Sequence, residues 1–286
     1  MASRGILISL AALVSACLTG TISDGAAPAG SYSLSAYNCS KMNCEPPFQA
    51  RKGAWSAAAQ DRAEMETEIP FHLGVASGPT FYGKSIAAVQ GDSVTLSNHI
   101  QMANFEKWTQ AFKKTAGTVN IIGPAYAGGN IEDTLTIAGA EGVAYLLPIY
   151  EVEGTFASSG EKFLDSWIAL CFGTTSRGGC GPKIWESHGG ASDVHEFYQP
   201  KPGETLQFRF GARFQYYINF YSRILAPGAP VSAVLPGLIR DDETVDVVIK
   251  LAGVSITDKD GKEIVGAKVV SDSGVEYKVL PPRAAQ

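Results

Sequence analysis

The sequence predicts an all-β fold, an antiparallel β-sandwich of jelly-roll type with one or two short peripheral helices. Three observations lead to it. From Thr118 onward apolar residues recur at every second position, the period of a half-buried strand. Charged residues make up 18% of the chain against 31 glycines and 15 prolines, the composition of frequent strands with tight connections. Asp/Gly-rich segments such as Asp258-Lys259-Asp260-Gly261 and Ser271-Asp272-Ser273-Gly274 separate the periodic runs, as hairpin turns require.

Taken in order, residues 1–16 read as a secretory signal: one cation (Arg4), an apolar run from Ile6 to Val14, then small Ser15 and Ala16. The run is too short to span a bilayer. Val14-Ser15-Ala16-Cys17 resembles a bacterial lipobox, which would make Cys17 the acylated mature N-terminus. Export sorts the five cysteines without remainder. Cys17 is the odd one, and Cys39/Cys44 and Cys171/Cys180 are two close pairs that an oxidising compartment can join. Each such short loop would stabilise the fold by about 2–3 kcal/mol.

Residues 17–48 are rich in Ser, Ala, Gly, Pro and Asn and read as a tether holding the first cysteine loop. Residues 49–117 form a mixed segment expected to pack on the sandwich. Within it, Gln49 to Glu66, with Ala57-Ala58-Ala59, predicts a surface helix. Asn104 to Thr115, with Phe105, Trp108 and Phe112 on one face, predicts a second. Gly91-Asp92-Ser93-Val94 has the letters of a hydrolase nucleophile block, but reads as a polar turn into Val94-Thr95-Leu96, since the motif lacks its α/β context.

The sandwich domain is expected over 118–280, with 281–286 as a tail. Its strand faces are Val119/Ile121, Leu135/Ile137, Val143/Tyr145/Leu147/Ile149, Val152/Phe156, Leu206/Phe208/Phe210, Phe214/Tyr216/Ile218/Phe220 and Val245/Val247/Ile249/Leu251. Trp167 to Phe172 is apolar on both faces, as a strand inside a sheet would be. The net charge of −5 becomes −6 once Arg4 leaves with residues 1–16. With no Lys/Arg cluster in the sequence, neither a nucleic-acid footprint nor a polybasic membrane patch is expected.

Two stretches carry a resemblance. Asn130-Ile131-Glu132-Asp133-Thr134-Leu135-Thr136-Ile137 follows a glycine-rich lead-in. Far downstream come Leu251-Ala252-Gly253-Val254, Thr257-Asp258-Lys259-Asp260-Gly261 and Ser271-Asp272-Ser273-Gly274-Val275-Glu276-Tyr277. This order resembles the β-sandwich of bacterial exported proteins of the PEP-CTERM type, over about residues 118–280. The resemblance implies an extracellular or surface-matrix protein and supplies no catalytic residues. The sequence ends Val279-Leu280-Pro281-Pro282-Arg283-Ala284-Ala285-Gln286 without an apolar anchor or basic tail. Tail-dependent sorting is therefore not expected, and a lipid on Cys17 is the expected anchor.

Four constellations could carry chemistry. His188, Asp193, His195 and Glu196 place two imidazoles and two carboxylates within nine residues, and His188, Asp193 and His195 are the metal candidates. Asp241-Asp242-Glu243 with Asp246, and Asp258/Asp260 with Glu263, are calcium candidates, although Asp260-Gly261 is also explained by turn geometry. Tyr216, Tyr217, Phe220 and Tyr221, with Phe197 and Tyr198, form an aromatic stretch. Alternation puts Gln215/Tyr217/Asn219/Tyr221 on one amphipathic face, where rings could stack on sugars while Arg209, Arg213 and Asn219 bond hydroxyls. Arg209, Tyr217, Asn219 and Tyr221 are thus the ligand-binding candidates. Asn38-Cys39-Ser40 is a glycosylation sequon that would matter only in a eukaryotic host, and the lipobox points to a bacterial one.

The sequence therefore predicts an exported, non-catalytic cell-surface or extracellular-matrix protein, secreted or lipid-anchored, serving adhesion or polysaccharide association. A carbohydrate-binding module is the first alternative, and a metal-dependent hydrolase or lyase the second. Intact mass of the protein from its native membrane or medium is expected to lack residues 1–16, to carry a lipid on Cys17, and to show no titratable thiols without reduction. A product retaining Met1 and free sulfhydryls would refute the expectation.

Overall fold

The computed structural model describes residues 30–38, 48–73, 76–102, 118–119, 125–160, 165–174, 177–186, 191–198, 206–225, 229–230 and 241–282. The strands in chain order are β1 Gly30–Asn38, β2 Phe48–Ala54, β3 Gln60–Leu73, β4 Ala76–Gln90, β5 Ser93–Met102, β6 Thr118–Val119, β7 Ala125–Ala138 and β8 Val143–Gly160. They continue as β9 Asp165–Thr174, β10 Arg177–Glu186, β11 Ala191–Tyr198, β12 Leu206–Arg209, β13 Arg213–Leu225, β14 Ala229–Pro230, β15 Asp241–Thr257 and β16 Lys268–Ser271. No helix occurs among the described residues.

Two seven-stranded antiparallel sheets result. The first runs β10-β9-β13-β7-β1-β2, with β16 also on β7; the second runs β11-β8-β15-β5-β4-β3, with β12 also on β8. β6 and β14 form a separate two-stranded ribbon. The fold class expected from the sequence is the one observed, an antiparallel β-sandwich.

The 49–117 segment is not peripheral. Within it β2 joins the first sheet on β1, and β3, β4 and β5 join the second, where β5 pairs with β15. β1 itself lies in the 17–48 segment expected as a tether, yet pairs with β7 inside the first sheet, so the expected division at 117/118 is not a structural boundary. The helix expected over Gln49 to Glu66 is instead β2, a turn, and β3. Ser56 accepts the amide of Ala58 on its Oγ (3.3 Å) and that of Ala59 on its carbonyl (3.0 Å), so the alanine run closes a turn beside buried Trp55. Beyond it the period is two: Ala63 and Met65 are buried, while Glu64 and Glu66 lie outside, 3.1 and 3.0 Å from Lys84 on β4. Tertiary pairing here outweighs the helix propensity of alanine. The second expected helix, over 104–115, lies outside the described residues.

The core follows the alternation. Val245, Val247 and Ile249 of β15, Tyr216, Ile218 and Phe220 of β13, and Leu34 and Ala36 of β1 are all buried between the sheets. Ile168 and Ala169, neighbours on opposite faces of β9, are both buried, as an interior strand requires. Directional bonds cross this apolar layer. Tyr150 and Tyr216 share a hydroxyl–hydroxyl bond of 2.6 Å, and Asn98 Nδ2 donates to Ser222 Oγ at 2.8 Å. Asn38 Nδ2 donates to the carbonyls of Gly83 (2.7 Å) and Met65 (3.2 Å), while its Oδ1 accepts from Ser85 (2.7 Å). Tyr32 donates to Asp61 at 2.9 Å.

The C-terminal segment closes one end. β16 joins the first sheet on β7, and Val279 bridges Val254 of the second, with Val254 N donating to the carbonyl of Lys278 and Leu280 N to that of Val254 (both 2.8 Å). Gly253 permits this approach, because a β-carbon there would overlap the Lys278 carbonyl. Asp133 on β7 ties the segment down. It is 1% exposed and accepts from Thr134 N (2.8 Å), Ser273 N (3.3 Å), Ser273 Oγ (2.6 Å) and Tyr277 Oη (2.8 Å). Asp133-Thr134-Leu135-Thr136 and Ser271 to Tyr277, 140 residues apart, are thus halves of one buried knot.

The sheet edges are β2 and β10 in the first sheet, β3 and β11 in the second. Pro70 lies in β3 and Pro182 in β10, each at a register irregularity.

Burial pushes the Asp133 carboxyl above its ordinary value, against the lowering pull of its hydrogen bonds. Its contribution to stability is therefore fullest below the unfolded-state value and declines as pH rises from about 4 through the raised folded value. Asp133→Ala is expected to destabilise the fold by about 3 kcal/mol or more by stranding buried donors. Asp133→Asn should cost less, since the Ser273 and Tyr277 hydroxyls can rotate to accept, and should abolish that decline with pH. Denaturant melts of the three proteins between pH 4 and 7 check both expectations.

Candidate functional site

The register of the first sheet fixes which residues share its outer face. Across β1, β7 and β13, Ser31, Glu132 and Tyr217 form one row, and Ser33, Asn130 and Asn219 the next. Ser35, Gly128 and Tyr221 follow, then Tyr37 with Tyr126. Because side chains alternate across a strand, all of these point away from the core.

One end of the face is aromatic. Tyr37 stacks on Tyr126 with centroids 4.4 Å apart and planes 8° apart. Tyr126 stacks on Tyr221 at 6.0 Å and 20°. The direct pairing of Tyr37 with Tyr126 sets the first stack. β1 and β13 flank β7 on opposite sides, so Tyr126 has a neighbour on each of its faces. The three rings form a ridge across three strands rather than separate open platforms. Gly128 makes room for it: a β-carbon there would lie 2.6 Å from Tyr126 Oη and 2.7 Å from Tyr221 Cβ.

Beside the ridge lies a bed of short polar side chains centred on Glu132. Asn130 Nδ2 donates to Glu132 Oε1 at 2.8 Å, and Gln215 Nε2 donates to Oε2 at 3.3 Å. Asn130 Oδ1 has no hydrogen-bond partner among the described residues. Two amides thus hold the carboxylate.

Tyr217, Asn219 and Tyr221 do share this half-buried outer face, as the sequence indicated. Arg209 does not join them. It belongs to β12 in the other sheet, opposite Val143, because the chain changes sheets at the turn between β12 and β13. Arg213, on the tyrosine-bearing strand, pairs with Asp272. Sequence reading missed Tyr37, Tyr126, Asn130 and Glu132. Their signal was the alternation Ser31-Ser33-Ser35-Tyr37 and Tyr126-Gly128-Asn130-Glu132, which carries meaning once β1 and β7 are known to be neighbours.

The metal candidates separate differently. His188 lies outside the described residues. Asp193 and His195 are exposed on one face of β11, opposite Thr155 and Glu153 of β8. His195 Nδ1 is 2.8 Å from Glu153, and its Nε2 3.9 Å from Glu151. The ligand atoms of Glu151, Glu153 and His195 lie within 4.8 Å of one another, on an open sheet surface. Glu196 is opposite Val152 in the register.

The calcium candidates are occupied locally. Asp242 bonds His99 (2.7 Å) and Gln101 (3.3 Å), Glu243 is buried inward and Asp246 is exposed, so successive acids face opposite ways. Asp258 Oδ1 accepts the amides of Asp260 (2.8 Å) and Lys262 (2.9 Å), closing the turn in which Gly261 has φ 77°. Gly91-Asp92 is likewise a two-residue turn, with Gln90 opposite Ser93 and Gly91 at φ 59°.

Cys171 and Cys180 are direct cross-strand partners of β9 and β10. Cys17, Cys39 and Cys44 lie outside the described residues. No described helix is long and apolar enough to cross a membrane.

No protein-family model matches the chain, and no curated protein matches it. Its class rests on the fold: a two-sheet antiparallel β-sandwich bearing a tyrosine ridge and a polar bed on one sheet face.

Gly128→Ala is expected to cost about 1–3 kcal/mol by overpacking. It should also disturb the tyrosine stack, read as a changed near-ultraviolet circular dichroism spectrum with the far-ultraviolet spectrum retained.

Proposed function

We propose that this is an exported, non-catalytic protein of the bacterial cell surface or extracellular matrix that associates with polysaccharide through the outer face of the first sheet. The observation that carries the reading is the juxtaposition of Tyr37, Tyr126 and Tyr221 with Ser33, Asn130, Glu132 and Asn219 on one broad sheet face. The ridge offers ring edges and phenol hydroxyls to a sugar chain, and the short polar groups beside it meet sugar hydroxyls. Stacking stiffens the ridge beforehand, which lowers the ordering cost of binding an extended chain.

Export is supported by the signal-like residues 1–16 and the lipobox-like Cys17. The direct opposition of Cys171 and Cys180 in the β9–β10 register is compatible with a disulfide in an oxidising compartment. A non-catalytic role is favoured over hydrolysis because the described acids near His195 lie on an open sheet surface. A hydrolytic centre instead holds its groups in a concave, shaped pocket that admits substrate and one attacking water.

The test is retention of the full chain on immobilised polysaccharides, with Tyr126→Ala and Tyr221→Ala as variants. Each lost ring should weaken retention by about threefold to tenfold while the far-ultraviolet spectrum is unchanged. Binding that is indifferent to both variants would move the site elsewhere on the protein.

A further inference from the structure

We infer that the face selects neutral, hydroxyl-rich polysaccharide over polyanionic chains, with Glu132 as the specificity-determining residue. The inference rests on the polysaccharide reading above and deepens it.

Glu132 is the one carboxylate among the described outward side chains of β1, β7 and β13. It is held from both sides by Asn130 and Gln215, whose amide donors point at it. That leaves the remaining lone pairs of the Glu132 carboxylate as acceptors at the centre of the face. Such a centre suits groups that donate, and sugar hydroxyls donate. The carboxylate of a uronate, like a sulfate group, cannot donate and brings like charge against Glu132.

Among the described side chains of this face, cations stand away from Glu132, and Arg223 is opposite Tyr126, six residues along β13 from Tyr217, the partner of Glu132. Arg213 is bonded to Asp272 at one end of β13, and Lys52 stands exposed on edge strand β2, two strands away from Asn130. Two strand spacings are about 10 Å, close to a Debye length in physiological salt. Lys52 is therefore a weak counterweight to a carboxylate at the centre. A lone carboxylate is also a poor calcium site, since that ion takes six to eight oxygens and usually several acids.

The length fits a chain rather than a single sugar. Tyr217 and Tyr221 are four residues apart on β13, about 13 Å at the strand rise. Glu132 and Tyr217 are direct partners at one end, and the tyrosine ridge stands at the other. A ligand reaching both ends must span that distance, as an extended oligosaccharide does.

The experiment compares the full-length protein with Glu132→Gln on a neutral panel (soluble β-glucan, dextran, galactomannan) and an anionic panel (alginate, polygalacturonate), by affinity electrophoresis at physiological salt. Glu132→Gln is nearly isosteric, and unchanged circular dichroism verifies that it folds. Expected are retention on at least one neutral polymer, none on the anionic ones, and a loss of about tenfold or more in Glu132→Gln, the scale of a charge-assisted hydrogen bond. Retention by anionic polymers, or neutral retention indifferent to Glu132→Gln, overturns this inference and leaves polysaccharide association standing. Retention by no polymer overturns both.

Discussion

Two sheets pressed together by apolar side chains have no intrinsic reason to stop sliding, because hydrophobic attraction is non-directional. In this sandwich the relative position is set by hydrogen bonds that cross the layer: Tyr150 to Tyr216, Asn98 to Ser222, and Asn38 to Ser85, Gly83 and Met65. Each works only at one offset, and a displaced partner would be left buried and unpaired. Tyr216 shows how strongly the layer excludes water, since burial drives its hydroxyl well above the usual phenol range. The outer face inherits this precision. Tyr216 and Tyr217 are neighbours on β13, so pinning one inside aims the other outward.

The Asp133 knot does a related job along the chain. β7 receives β1 and β16 end to end on the same edge, and Asp133 sits at their junction, collecting donors from the segment that follows β16. The segment then crosses to bridge Val254 in the other sheet. Closure of that end depends on a carboxyl whose burial is offset by four donors. Glu132, its sequence neighbour, points the opposite way and keeps its acceptors for the outside. Two adjacent acids thus serve the interior and the surface, separated only by strand alternation.

Much of the sandwich was legible because its signal is local. Val245/Val247/Ile249 and Tyr216/Ile218/Phe220 announce both strand and buried face, and Asp260-Gly261 announces a turn. Ala57-Ala58-Ala59 misled, because propensity was read without the Ser56 turn and the Lys84 pairing that decide it. The candidate face was half legible for a related reason. Tyr217, Asn219 and Tyr221 share one strand, so their common direction follows from spacing. Tyr37, Tyr126 and Glu132 join them only through pairing partners 85 residues away or more, which no periodicity encodes. Arg209 failed in the converse way: close in sequence to Arg213, it belongs to the opposite sheet.

The outermost strands have a bearing on life at high local density. β3 and β10 each combine a proline with a register irregularity, and β3 also carries Arg62, Glu64 and Glu66. A proline offers no amide to an incoming neighbour, a bulge spoils the match, and charged side chains on the edge must be desolvated by an incoming strand. Copies of this chain crowded side by side are guarded at these two edges against zipping into continuous ribbons.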